Sequence, residues 1–124
     1  AEEEADKILD AEGSLALADS YYVDEEFSEA IDLYAVSIST ASATATLFRA
    51  FSHKASALFR LERSAEAKED LQVALEQYST VGGLRSGETE AAFYRLGLVC
   101  RDLNQEQQAL SAFQKAHELA TLNQ

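Results

Sequence analysis

Two histidines, a lone cysteine, a glycine-bearing loop and two acidic runs are where this sequence could do chemistry, and each lacks the partners that chemistry needs. His53 and His117 have no second His or Cys at metal-ligand spacing, so they read as satisfied or solvated imidazoles. Cys100 falls on the core face of its expected helix, with no histidine predicted beside it, and reads as a packing thiol rather than a nucleophile. "VGGLRSGE" (81–88) carries three glycines, but it follows a predicted helix and lacks the Gly-Lys-Ser/Thr ending of a phosphate loop. "AEEEAD" and "VDEEF" could hold a divalent cation loosely, yet neither has the loop glycine of a calcium site. These patterns predict no catalytic residue, no metal site and no cofactor. Recognition chemistry remains. An arginine fork binds a carboxylate through two hydrogen bonds, and tyrosine or phenylalanine supplies a stiff apolar anchor.

Helices must position these groups. The chain has 124 residues, 47% of them hydrophobic, which is enough for a single domain with a core. Proline is absent and glycine numbers five, while Ala, Leu, Glu, Gln and Ser abound, a composition that favours helices throughout. No apolar run approaches the roughly 20 residues a bilayer crossing needs. Of 22 acidic residues, 12 lie in the first 32 positions, where Lys7 is the only base. A pI near 4.4 argues against unaided binding to nucleic-acid phosphates or anionic lipid. A single cysteine suits a reducing compartment, the cytoplasm and also the nucleus. Methionine is absent and no secretory signal is visible, so a fragment of a longer protein is expected.

The stretch "FSEAIDLYAVSI" (27–38) spaces Phe27, Ala30, Ile31, Tyr34 and Ile38 along one helix face. Its triad Ala30-Tyr34-Ser37 recurs as Ala67-Leu71-Ala74 and as Ala109-Phe113-Ala116. About a dozen residues upstream sit Leu17-Ala18-Tyr21, Lys54-Ala55-Leu58 and Leu96-Gly97-Cys100. Small residues at the same place on both helices let antiparallel helices cross at close range. The spacing resembles the tetratricopeptide repeat (TPR), a helix-turn-helix unit. That resemblance predicts an all-α, right-handed superhelix of three repeats, about 11–44, 48–81 and 90–123, in a single domain spanning 1–124. Six antiparallel helices are expected at about 2–22, 24–40, 44–61, 64–79, 87–103 and 105–121. Glu2 to Glu4 suit the dipole of the first helix. Asp24, Ser64 and Asn104 are expected N-caps, Asn104 with Gln107 as a capping box. "ASAT" (41–44) and "STVGGLRSGE" (79–88) are the joins, the second broken by Gly82 and Gly83. Lys54 stands at a position that is usually apolar in this family.

In TPR proteins the first helix of each repeat lines a concave groove where partners bind. The repeat register places Tyr22, Arg49, Phe59, Tyr94, Leu98 and Arg101 on that surface, with His53, Arg60 and Arg95 beside it. Four of the six arginines thus fall in or next to the groove of an acidic domain. They either grip an acidic protein or peptide partner, or pair with acids on neighbouring helices. The carboxylate clamp for chaperone tails is not expected: its places hold Leu15, Asp19, His53, Ala91 and Arg95, of which only Arg95 fits.

"ADSYYVDEEFSEAIDLYAVSI" (18–38) and "YRLGLVCRDLNQEQQALSAFQKAHEL" (94–119) resemble the first and third repeats of the Sgt-one co-chaperone family. This resemblance implies a non-enzymatic adaptor domain linking chaperone, ubiquitin-ligase and innate-immune-receptor complexes. An oligomerisation module, such as a homodimer, and a non-catalytic regulatory domain of an enzyme are the alternatives.

Overall fold

The computed structural model describes residues 10–80, 84–85 and 87–122. Its elements are α1 (Ala11–Val23), α2 (Phe27–Thr40), α3 (Thr44–Arg60), α4 (Ser64–Gln77), α5 (Glu88–Asp102) and α6 (Glu106–Leu122). Among the described residues all regular structure is helical, in three helix-turn-helix pairs. Each helix packs on the next in the chain, and α3 also touches α1 and α5, so the first helices of the pairs lie side by side.

The turns inside the pairs are copies of one another. Glu25, Glu62 and Asn104 take the left-handed conformation at φ near 60°. Their separations of 37 and 42 residues are the offsets of the alanine pattern. The amide of the following residue then reaches back to close the helix: Glu26 to Tyr21 O, Arg63 to Leu58 O, Gln105 to Cys100 O. This is the Schellman end, which satisfies carbonyls that have no partner within the helix.

That turn corrects the expected N-caps. Asp24 is the C-cap of α1, and Asn104 is the left-handed residue after α5. Ser64 is the first helical residue of α4, and its hydroxyl donates to Asp102 Oδ2 at 2.5 Å in the next pair. The capping positions belong to Glu26 and Arg63, neither of which makes a side-chain cap. The reason is the reach of the turn, which consumes two residues beyond the C-cap before a new helix can start. The early start of the first helix is also corrected at its edge. Asp10 is extended and caps α1 by accepting from Gly13 N at 2.6 Å. The expected helix over residues 2–9, the acids Glu2 to Glu4 and the Gly82-Gly83 break lie outside the described residues.

Small residues line the crossings. Ala18, Ala30, Ala55, Ala67 and Ala74 are fully buried, packed among Tyr34, Phe48, Leu58, Leu71 and Val99. Ser37 is equally buried at a place where the later pairs have alanine, and its hydroxyl donates to Ala11 O at 2.8 Å. A hydroxyl is tolerated in the core because it has that acceptor. At the last pair the crossing leaves no room even for a methyl group: a Cβ on Gly97 would stand 2.5 Å from Phe113 Cε1. Cys100 is buried, which pushes its thiol pKa up, in keeping with a packing role. Lys54, unusual in sequence, pairs its Nζ with Asp70 Oδ2 of α4 at 3.4 Å.

Candidate partner-binding groove

The sequence-derived groove residues come from α1, α3 and α5, and the structure sorts them into three situations. Tyr22, His53 and Arg95 border one hollow of about 200 Å³, together with Asp19, Val23, Tyr34 and Ser56. Tyr22, Phe59, Arg60, Leu98 and Arg95 border a second of about 150 Å³, floored by Ala55, Leu71 and Val99. His53 and Arg95 also border a third, of about 330 Å³, with Arg85, Glu88 and Ala91. Arg95 belongs to all three. Tyr94 faces a different depression of about 450 Å³, formed with Ala91, Phe113, Ala116 and His117 at the last helix pair. Arg101 is exposed and borders none of these hollows.

The arginines differ in their partners. Arg49 holds Glu88 in a two-pronged bond, Nε to Oε1 at 2.7 Å and Nη2 to Oε2 at 3.1 Å. Arg60 lies 4.7 Å from the Phe27 ring centre and 3.4 Å from Glu25 Oε1. Among the described residues, Arg95 and Arg101 have neither an ion pair nor a hydrogen bond through their side chains. Arg49 and Arg60 therefore tie helices together, a use the sequence left open.

Glu88 shows what the Arg49 bond is for. Burial works against its charge, but the Arg49 guanidinium and the backbone amide of Arg85 outweigh burial and hold its pKa below the usual carboxylate value. Gly87, in the left-handed region at φ 94°, turns the chain so that Glu88 can start α5. Because the folded pKa is depressed, the stabilisation is present above the ordinary carboxylate range and is lost as pH falls through the folded value. Arg49→Ala should cost about 1–2 kcal/mol at neutral pH. In urea melts at a series of pH values, the gap to wild type should close on acidification. A gap that persists at low pH would assign the loss to packing instead.

Asp19 stands at a groove place of the repeat register, but its bonds to Tyr34 and His53, and the place of Tyr34 at the hollow, were not revealed by the sequence. Tyr34 Oη donates to Asp19 Oδ1 at 2.5 Å, and His53 Nδ1 lies 2.9 Å from the same oxygen. An ionised carboxylate only accepts, so the His53 Nδ1 carries the proton. Burial opposes the charge on Asp19, but the bonds from His53 and Tyr34 prevail and lower its pKa. Burial and the neighbouring Asp19 push the Tyr34 hydroxyl well above its ordinary value, so it stays a donor. A tyrosine at 34, where the later triads have Leu71 and Phe113, was the available signal: a buried hydroxyl needs a partner. Among the described residues no His/Cys/Asp/Glu group could hold a metal ion, and no helix is long and apolar enough to cross a membrane.

The groove, the copied turns and the paired helices now have a family. The family model for the tetratricopeptide repeat matches residues 46–121, well over half of the chain. The chain belongs to the tetratricopeptide repeat family. No curated protein matches it. The matched residues run from α3 to α6, and the TPR pattern extends to α1 and α2 through the shared Schellman turn and the buried Ala18 and Ala30. TPR domains are in general non-catalytic interaction modules with protein partners.

Proposed function

We propose that this TPR domain is an adaptor whose groove takes a segment of a partner protein by placing a carboxylate on Arg95 and an apolar side chain against Tyr22 and Phe59. The supporting observation is the position of Arg95. It stands where three hollows meet and has no ion-pair partner among the described residues. A guanidinium so placed has its fork available for a two-bond contact with a carboxylate. The finer reading, an Sgt-one-like co-chaperone domain linking chaperone and ubiquitin-ligase complexes, rests only on the resemblance of residues 18–38 and 94–119.

Fluorescence polarisation with labelled peptides bearing one glutamate among Leu and Phe residues tests the groove. Arg95→Ala should weaken the tightest peptide about tenfold or more, the worth of one charged hydrogen-bonded contact. Arg101→Ala, an exposed arginine away from the hollows, should leave the affinity unchanged. Equal affinity for wild type and Arg95→Ala would overturn the reading.

A further inference from the structure

Arg95 is not the only charge presented to the first hollow. Asp19 borders it too, and its orientation is fixed from two other helices, by Tyr34 of α2 and His53 of α3. Both of those bonds fall on Oδ1. Among the described residues Oδ2 receives none, and 44% of the side chain is exposed. The carboxylate is thus a preorganised acceptor, half-exposed at the border of the hollow, with one oxygen that takes no bond among the described residues.

Asp19 and Arg95 share this hollow without pairing: among the described residues no ion pair joins them. A purely acidic segment would set a carboxylate against Asp19, and a purely basic one would set a cation against Arg95. Like charges brought together in a partly dry groove disfavour binding. The surroundings fix the polarity. Between residues 10 and 40 the sequence has eight carboxylates and no lysine or arginine, so the α1–α2 end of the groove attracts cations.

We infer that the groove reads a dipolar motif in its partner: an acidic side chain on Arg95 and, a few residues away toward the α1–α2 end, a lysine or arginine on Asp19 Oδ2. This inference rests on the groove being the partner site. In an extended segment, residues i and i+2 point to the same side, so Glu-X-Lys or Lys-X-Glu, according to chain direction, presents both charges together.

Four labelled peptides with identical Leu and Phe flanks test this: Glu-X-Lys, Lys-X-Glu, Glu-X-Glu and Lys-X-Lys. On the wild-type domain one mixed peptide should bind about tenfold tighter than Glu-X-Glu. Asp19→Asn should erase that preference without weakening Glu-X-Glu, because the amide oxygen keeps the Tyr34 and His53 bonds while the charge is lost. If Glu-X-Glu binds the wild type as tightly as both mixed peptides, the dipolar motif is wrong and the groove reading survives. If Arg95→Ala leaves every affinity unchanged, the groove reading fails and takes the motif with it. The peptide ranking uses wild type alone, so it holds whether or not a variant folds.

Discussion

Gly97→Leu should lower the stability of the domain by about 3 kcal/mol, the upper end of overpacking costs. Even a bare Cβ at this position would stand 2.5, 2.6 and 2.8 Å from three ring atoms of Phe113. Those atoms belong to a ring, and the ring itself packs on Tyr94 at a centroid distance of 5.5 Å. The chain keeps a glycine in the middle of α5 although glycine costs about 1 kcal/mol relative to alanine there. Close approach of α5 and α6 is the return for that loss. Chemical denaturation of Gly97→Ala with and without Phe113→Ala separates the two effects. With Phe113 present, alanine should destabilise. With the ring removed, the same alanine should be neutral or stabilise by about 1 kcal/mol, through helix propensity alone. Stabilisation by Gly97→Ala in the presence of Phe113 would contradict the tight crossing.

Lys54→Met should cost about 3 kcal/mol at neutral pH, since it strands a carboxylate between α3 and α4. The Asp70 side chain is 14% exposed, and Lys54 Nζ is its ion-pair partner at 3.4 Å. Burial raises the Asp70 pKa; Lys54 opposes that shift, while Glu69 and Glu66 add to it. A carboxyl with a raised folded pKa favours the protonated state in the fold. Its penalty is therefore present above the folded value and relieved as pH falls toward the ordinary carboxylate range. The Lys54→Met defect, larger because the opposing charge is gone, should shrink on acidification in pH-resolved urea melts. Lys54→Met with Asp70→Leu should return to wild-type stability or exceed it, because two packed apolar side chains have no desolvation cost. A double variant as weak as Lys54→Met would show that the stem of the lysine, not its charge, is what the core needs.

These two sites differ in how far they were legible. Gly97 stood in the recurring small-residue pattern, so its crowding follows from the repeat itself. Lys54 looked like a defect in that pattern, and only the approach of Asp70 from α4 explains it. The N-caps failed for a related reason. Asp24, Ser64 and Asn104 are good capping types, and residue type suggested that use. The turn required by antiparallel pairing instead put a left-handed residue at positions 25, 62 and 104. Glutamate there carries no sequence signal, since glycine is the residue such a turn prefers.

In the groove, residue type identified the arginines but not their fates. Arg49 and Arg95 are the same residue on first helices, yet one is held by Glu88 and the other is not. That depends on Gly87 turning the chain to bring Glu88 within 2.7 Å of Arg49, a contact across 39 residues. By itself the sequence determined the helices, their pairing and the small residues where they cross, because helical period and side-chain volume are local properties that repetition makes visible. Which arginines are held in ion pairs and which are not was decided only by the tertiary structure. An ion pair depends on a few ångströms between distant elements, and no local pattern encodes that distance.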